Sequence, residues 1–212
     1  MEIKRFIGGI LEANCYVVSA SRSNADAKAP ALARPCFIID PGYDPSKIIK
    51  YIKAERFAPQ GIILTHHHAD HSGAAARLRK ELDCPIMIHR EDADRFREGA
   101  DRLLEDGDVL SLGDGNRDVK LTVRHTPGHT RGGICLLSER DKVCFTGDTV
   151  FNVDLGRTDL DDGSYAEMVS SILNVVNQWG NDLTIYPGHG DPATMKTVRK
   201  INLEFPEIVN DN

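Results

Sequence analysis

The segment Thr65–His71 carries five metal-capable side chains within seven residues, directly after the apolar run Gly61–Leu64. A mixture of imidazole and carboxylate groups suits zinc, iron or manganese, whereas calcium prefers oxygen ligands throughout. A polar loop that merely contains several histidines is the alternative, but an H-x-H-x-D-H string at a strand end is uncommon in such loops. The segment therefore predicts a metal site, around which the rest of the chain must fold.

The expected passage from strand to helix sets the direction of these side chains. If Ile62–Thr65 is a buried strand, side-chain alternation sends His66 and His68 to one side and His67 to the other. Asp70 suits the first turn of the helix that would follow. This turn would gather four candidate ligands: His66, His68, Asp70 and His71.

Length and composition predict a globular protein. With 212 residues, 41% of them hydrophobic, the chain can bury a substantial core, and we expect a single domain over residues 1–212. The absence of an apolar run of roughly 18 residues and the charged start of the chain predict a cytoplasmic protein without a membrane partner. The net charge of −6, without a basic stripe, argues against nucleic acid as a partner.

The cysteines and the order of predicted elements bear on the fold. Five cysteines without a C-x-x-C pair are expected to be reduced core residues, with a catalytic thiol as the alternative. Strands are predicted at residues 6–9, 15–18, 36–40, 62–65, 85–88, 108–112, 119–123, 133–137, 143–146 and 183–186. Helices are predicted at residues 45–55, from the histidine segment to about 82, at 91–97 and 164–178, and before about 205. Residues 19–34 are expected to form a long, mobile hairpin excursion. This order indicates an α/β fold, with helices on the outer faces of two packed sheets.

Three later positions extend the pattern of metal-capable residues. His129, Asp148 and His189 each follow a predicted strand in a turn that contains glycine or proline. Side chains at strand ends converge at one rim of a sheet, and such turns fix the direction of a side chain. Each position is weak evidence alone, but together with the histidine segment they form one ordered set.

This ordered set resembles the metallo-β-lactamase superfamily, and the resemblance extends from about Asn14 to His189. It implies a four-layer αβ/βα sandwich. It also implies that His66, His68 and His129 bind a first metal ion, that Asp70, His71 and His189 bind a second, and that Asp148 bridges the two. A bridging aspartate is similar to the glyoxalase II group rather than to the β-lactamases. Asp70 and Asp148 are accordingly the candidate catalytic carboxylates.

The resemblance to compact glyoxalase II-like hydrolases implies a reaction. Two divalent ions, with zinc expected and iron or manganese as alternatives, would share a water and lower its pKa toward ~7. The expected activity is hydrolysis of an acyl thioester, such as a hydroxyacyl thioester, by a metal-bridging hydroxide. Only 23 residues follow His189, whereas larger enzymes of this group use a C-terminal helical domain in their glutathione pocket. Whether glutathione is the thiol therefore stays open.

Two further residues are candidates around this centre. The run Leu155–Asp159 resembles the G-R-[ST]-D segment of small glyoxalase II-like hydrolases and of persulfide dioxygenases. Arg157 is therefore a candidate for binding a substrate carboxylate through its planar fork, so an anionic acyl thioester is expected; the alternative is a salt bridge to Asp159 or Asp161. Asp40 resembles an outer partner of a metal-bound histidine, with an ordinary turn aspartate as the alternative. The remaining histidines are not expected to bind a metal: His67, His89 and His125.

Other functions stay open at this point. An iron-dependent persulfide dioxygenase uses an overlapping set of ligands, a lactonase of the same fold would use the same centre, and phosphodiesters are a further substrate class. A non-catalytic metal-binding or scaffold protein is a rival of another class. His68 favours hydrolysis, because a third imidazole at the first ion is typical of zinc, whereas oxygen activation needs only two histidines and a carboxylate.

Overall fold

The computed structural model describes residues 1–21, 33–113 and 118–211, and the strands in this part of the chain form two six-stranded sheets. The first sheet has the spatial order β1 (Glu2–Gly8), β2 (Ala13–Ser19), β3 (Arg34–Ile39), β4 (Phe57–Ile63), β5 (Ile86–His89) and β6 (Arg102–Leu104). The second has the order β12 (Ala193–Thr194), β11 (Thr184–Pro187), β10 (Val143–Gly147), β9 (Ile134–Ser138), β8 (Val119–His125) and β7 (Val109–Leu112). The helices are α1 (Pro45–Glu55), α2 (Ala69–Ser72), α3 (Ala75–Leu82), α4 (Tyr165–Asn174), α5 (Met195–Ile201) and α6 (Phe205–Asp211). None of these helices is long and apolar enough to cross a membrane.

Three buried clusters show how the layers pack. Alternation along β2 sends Tyr16 and Val18 into the cluster between the two sheets, together with Phe145 of β10. Cys15 and Val17 point the other way, into a cluster with α1 and α3. A third cluster joins the outer face of the second sheet to α4, α5 and α6. Two sheets with helices on both outer faces form the predicted four-layer αβ/βα sandwich.

Several predicted elements are confirmed. The amphipathic helix α1 has the predicted bounds and buries Ile48, Ile49 and Ile52. The hairpin of β9 and β10 is antiparallel, as expected. All five cysteines are free and buried, as predicted for reduced core residues. Burial raises the pKa of Cys36 to about 12 and that of Cys84 to about 11, which disfavours a catalytic thiolate at either position.

Other predicted boundaries are wrong. The strand expected at Ile62–Thr65 ends at Ile63. The helix expected to run from the histidine segment to about residue 82 is two helices, because the chain breaks at Gly73 and Ala74. Residues 91–97 do not form a helix: a 3-10 turn at Arg90–Asp92 is followed by turns, and the carboxylate of Asp92 is bonded to neighbouring loops instead.

The ends of the longer helices and the shortest strands also differ from expectation. The helix predicted at 164–178 ends at Asn174, and a separate 3-10 turn covers Val176–Gln178. The short strands β6 and β12 have too few residues to produce a recognisable pattern. The expected excursion is flanked by antiparallel β2 and β3, but residues 22–32 lie outside the described residues. Its mobility stays a prediction.

The sheet topology directs several strand ends to one rim. Strands β3, β4 and β5 run parallel, as do β10 and β11. The two sheets are joined at this rim by a hydrogen bond from the amide of Asn14 to the carbonyl of Gly188, 2.7 Å, and by one from Ile134 to Thr65, 2.9 Å. The loops after β4, β8, β10 and β11 therefore meet between the sheets.

Replacing Phe145 by alanine tests the packing between the sheets. Phe145 is 1% exposed, and its ring centroid lies 5.2 Å from that of Tyr16 and 5.4 Å from that of Tyr186. Phe145→Ala should lower the free energy of unfolding by about 3–5 kcal/mol, because it opens a cavity in this core. The control Tyr165→Ala removes a ring that is 61% exposed and should change it by less than about 0.5 kcal/mol. Urea denaturation with a chelator present measures both, and equal losses would contradict this packing.

Candidate metal centre

The structure brings the seven sequence-predicted residues together at the rim between the sheets. His66, His68, Asp70 and His71 lie in the loop after β4 and in α2. His129 follows β8, Asp148 follows β10 and His189 follows β11. Among the residues that the structure describes, four groups of three residues have ligand atoms that all lie within 4.8 Å of one another, and two of these groups consist of sequence-predicted ligands alone. We call these two the first cluster, His66, His68 and His129, and the second cluster, Asp70, His71 and His189.

The first cluster has the spacing that one metal ion requires. Nδ1 of His68 lies 3.0 Å from Nε2 of His129. Nε2 of His66 is buried and has no hydrogen-bond partner, while its Nδ1 lies 3.1 Å from Oγ1 of Thr65. A tetrahedral ion about 2.1 Å from each nitrogen would separate the nitrogens by about 3.4 Å. The three imidazoles therefore fit a single divalent ion.

The second cluster has a similar spacing with a mixed donor set. Nε2 of His71 lies 3.1 Å from Nε2 of His189. Oδ2 of Asp70 lies 3.3 Å from Nε2 of His189 and 3.5 Å from Nε2 of His71. Two imidazoles and one carboxylate at these distances also fit a divalent ion.

The carboxylate of Asp148 faces both clusters. Its Oδ2 lies 3.5 Å from Nε2 of His129 and 3.5 Å from Nε2 of His189, while Oδ1 lies 3.4 Å from Nε2 of His71. Glycine is required beside it, because a Cβ at Gly188 would lie 2.0 Å from Oδ1 of Asp148. Asp148 is thus the residue whose side chain contacts both clusters.

Backbone carbonyls orient two of the rings. Nδ1 of His129 donates to the carbonyl of Arg157 at 2.8 Å, and Nδ1 of His189 donates to the carbonyl of Leu11 at 2.9 Å. Because a carbonyl can only accept, Nδ1 carries a proton in both rings, so Nε2 is the nitrogen of each ring that can bind a metal ion. These bonds aim Nε2 at the clusters, as expected of the outer partners of metal-bound histidines.

Asp40 occupies the outer position that the sequence resemblance suggested. Its Oδ1 accepts from the amide of Thr65 at 2.7 Å, and its Oδ2 accepts from the hydroxyl of Thr65 at 2.6 Å. Oδ2 also lies 3.4 Å from Nδ1 of His71. The buried carboxylate therefore fixes the start of the ligand loop and faces the outer nitrogen of a ring in the second cluster.

The pKa shifts of three of the seven ligand-type groups favour metal binding. Burial and the neighbouring His71 lower the pKa of His66, and burial foremost lowers that of His68 to about 4. Burial alone would raise the pKa of Asp70, but hydrogen bonds with His189 and His71 lower it overall. At neutral pH the two imidazoles are neutral and the carboxylate is ionised, which are the forms that bind a metal.

The carboxylates around His71 favour a positive charge at the centre. Burial alone would lower its pKa, but the carboxylates of Asp148, Asp40 and Asp70 raise it overall. Three carboxylates around one buried ring favour a cation at this point, whether a proton or a metal ion. The chemistry of the donors thus fits divalent metal ions, in agreement with the prediction of a metal site from the sequence.

Asp92 holds two loops of the site together, a position that sequence reasoning missed. Its Oδ2 accepts from the amide of His67 at 2.9 Å, from the ring of His67 at 3.0 Å and from the hydroxyl of Thr130 at 2.9 Å, while Oδ1 accepts from the amide of Gly132 at 2.6 Å. Burial alone would raise the pKa of Asp92, but these bonds lower it overall. The carboxylate clamps the loop after β4 to the loop after β8. Nothing in the sequence separates Asp92 from the acidic residues around it.

The remaining histidines lie outside the two clusters. His67 anchors its loop through Asp92, but its ligand atom also lies within 4.8 Å of those of His68 and Asp162, a group that the sequence did not predict. His89 and His125 stack on each other, with ring centroids 4.0 Å apart and an interplanar angle of 18°. Neither of the stacked rings belongs to a cluster.

A cavity of about 870 Å³ opens over the two clusters. Arg157 lies at its wall, but its guanidinium already forms a two-pronged ion pair with Asp159, from Nε to Oδ1 at 2.7 Å and from Nη2 to Oδ2 at 2.8 Å. The salt bridge that the sequence left as an alternative is therefore present. Binding of a substrate carboxylate by Arg157 stays a prediction.

Comparison with known proteins agrees with this geometry. The hydroxyacylglutathione hydrolase GloC of Haemophilus influenzae is 32% identical over 183 residues, which cover 78% of this chain and 84% of the relative. The B3 metallo-beta-lactamase BLEG-1 superposes with a TM-score of 0.82 at 26% identity, covering 96% of this chain and 99% of its own. The di-iron-bound form of TTHA1623 gives a TM-score of 0.75 at 25% identity, covering 94% and 98%.

The family model of the metallo-beta-lactamase superfamily matches residues 32–189. That range contains the six residues of the two clusters, Asp148, Asp40 and Asp92. Fold, site geometry and the family match agree, and the chain belongs to the metallo-β-lactamase superfamily.

Proposed function

We propose that this protein is a binuclear metal-dependent hydrolase of the glyoxalase II type that cleaves an acyl thioester. The observation that carries the proposal is the carboxylate of Asp148, which lies 3.5 Å from His129 of the first cluster and 3.5 Å from His189 of the second. A shared carboxylate between two complete donor sets is the arrangement that holds a pair of ions. The relative from Haemophilus influenzae named as a hydroxyacylglutathione hydrolase supports the choice of a thioester.

In this proposal His66, His68 and His129 hold one ion, Asp70, His71 and His189 hold the other, and Asp148 bridges them. Zinc suits the three imidazoles of the first cluster, with iron or manganese as alternatives. The di-iron form of a structural relative supports both the second ion and the iron alternative. Ions bound here would supply a hydroxide at neutral pH and polarise the carbonyl under attack.

The residues of the chain position the reaction. The acyl group lies in the cavity, against a wall that contains the ligand side chains of Asp70 and Asp148. Asp70 stays ionised because its pKa is lowered, so its carboxylate can accept a hydrogen bond from the attacking water. A bond forms between the water oxygen and the acyl carbon, the bond from that carbon to sulfur breaks, and the proton of the water leaves with the thiol. The products are a carboxylic acid and a free thiol.

Asp148→Asn should weaken metal binding at both clusters, because the amide that replaces the carboxylate has lost the charge and one of the two bridging oxygens. We expect less than one bound ion per chain where the unchanged protein binds about two, with affinity at each site lower by at least roughly tenfold. The control Asp154→Asn alters another aspartate of the same cavity and should leave metal content unchanged. Plasma emission spectrometry after controlled dialysis measures the content, and full occupancy in Asp148→Asn would show that Asp148 is no bridge.

Asp40→Asn should lower metal affinity by about 10–100-fold, because Asp40 faces Nδ1 of His71 and fixes Thr65. Asp44→Asn is the matched control: both aspartates have positive φ angles, 50° and 43°, but Asp44 pairs with Lys47 at the surface. Competition with a chromophoric chelator measures the affinity. Equal affinities in the two variants would make Asp40 an ordinary turn residue.

The metal-loaded protein should hydrolyse thioesters and should not consume oxygen with glutathione persulfide. Nδ1 of His68 lies 3.0 Å from Nε2 of His129, so the first cluster offers three imidazoles rather than the two histidines and one carboxylate typical of oxygenases. The zinc, manganese and iron forms should be assayed with a panel of thioesters and lactones and, in an oxygen electrode, with the persulfide. Persulfide-dependent oxygen uptake by the iron form, with no thioesterase activity in any form, would reverse this conclusion.

A further inference from the structure

The wall of the cavity beyond the two clusters and Asp148 contains a patch of apolar side chains, beside the polar residues Asn152, Asp154, Arg157 and Asp191. Leu11, Phe151, Val153, Leu155 and Leu160 line it together with the two clusters. Three of these side chains are well exposed: Leu11 is 61%, Val153 48% and Leu160 38% exposed. A bound molecule would therefore cover apolar surface that water now contacts, which is favourable in proportion to the area covered.

The apolar wall is held in place by the C-terminal part of the chain. The amide of Asn202 donates to the carbonyl of Asp154 at 2.7 Å and to that of Phe151 at 3.1 Å. The carboxylate of Glu204 accepts from the amide of Leu155 at 2.9 Å, and the amide of Leu203 donates to the carbonyl of Val153 at 2.9 Å. The wall is thus formed before a ligand binds, which lowers the cost of binding.

Both arginine forks next to the cavity are already bound to carboxylates. Arg157 is paired with Asp159 through both of its prongs. Arg5 donates to the carboxylate of Asp191 at 2.9 Å and to the carbonyl of Gly190 at 3.0 Å. Arg157 is the only lysine or arginine that lines the cavity in the described part of the chain, and Arg5 lies beside two lining residues. A carboxylate on the substrate would therefore compete with Asp159 for the Nε–Nη2 edge of Arg157.

Asp154 makes binding of an anionic group at this wall less favourable. It lines the cavity together with Asp191, so a further carboxylate on the substrate would meet carboxylates of the protein there.

We propose that this cavity selects thioesters whose acyl group is an uncharged aliphatic chain over those whose acyl group ends in a carboxylate. The proposal rests on the hydrolase function proposed above and specifies its substrate. It departs from the sequence-based expectation that Arg157 holds an anionic substrate, and the two can be separated by experiment.

The first test compares the N-acetylcysteamine thioesters of butanoic, pentanoic, hexanoic, heptanoic and adipic acids with the metal-loaded protein. Each added methylene should raise kcat/KM by about fourfold until the chain fills the wall, because that is the value of burying one methylene group. Heptanoyl and adipoyl groups have similar length, and heptanoyl should be favoured by at least roughly tenfold. A flat chain-length series, or a preference for adipoyl, would overturn the proposal.

Matched variants assign the selectivity to named side chains. Val153→Ala should flatten the chain-length series, whereas Val109→Ala, which changes a valine of similar exposure (52% against 48%) outside the cavity, should not. Asp159→Asn frees the fork of Arg157 and should raise kcat/KM for adipoyl alone, while the neighbouring Asp161→Asn should leave it unchanged. Arg157→Ala should affect both substrates equally; a selective loss on adipoyl would restore Arg157 as a carboxylate-binding residue and contradict the proposal.

A binding measurement separates this inference from the proposed function. Calorimetry with S-heptyl-N-acetylcysteamine and its ω-carboxylate counterpart, neither of which can be hydrolysed, needs no turnover. If no thioester is cleaved in any metal form, the hydrolase proposal fails, yet tighter binding of the uncharged thioether would still support the apolar selectivity. Equal or tighter binding of the carboxylate form would contradict the selectivity even if thioesters are cleaved.

Discussion

The structure depends on one electrostatic constraint, the gathering of buried carboxylates and imidazoles at the rim where the two sheets meet. Asp40, Asp70 and Asp148 all face His71, a ring with no exposed surface. Such a group of charges is costly to bury unless positive charge accompanies it. Divalent ions satisfy that requirement, and the folded chain holds the ligand atoms within 4.8 Å of one another in each cluster. The fold thus holds close together carboxylates that would repel one another in the absence of positive charge.

Hydrogen bonds from residues outside the two clusters hold the cluster residues and their loops in place. The carbonyls of Arg157 and Leu11 each accept a hydrogen bond from Nδ1 of a histidine, His129 and His189 respectively. The carboxylate of Asp92 holds the loop after β4 to the loop after β8. The C-terminal residues around Asn202 brace the cavity wall without lining the cavity themselves. Residues that follow His189 thus hold part of the cavity wall in place.

The convergence of the seven candidate residues could be predicted from the sequence, because they are chemically distinctive and follow strand ends, whereas their assignment to two metal ions came from the family resemblance and stays a prediction. Two packed sheets with helices outside could be predicted from the order of strands and helices, and the spacing in α1 indicated its buried face, whereas the four-layer arrangement came from the family resemblance. Asp92 could not be found, because it is one acidic residue among several, and its role exists only once β8 and β4 bring their loops together. The pairing of Arg157 with Asp159 was foreseen only as an alternative, since local sequence cannot decide between an internal partner and a substrate.

The central claim is that Asp148 bridges two metal ions between the clusters. Crystals of protein purified without chelator, examined by anomalous scattering at the absorption edge of each bound metal, test it most directly. The account predicts two peaks roughly 3.5–4 Å apart on either side of the Asp148 carboxylate. A single peak held by His66, His129 and Asp148, with His71 and His189 away from any metal, would contradict it.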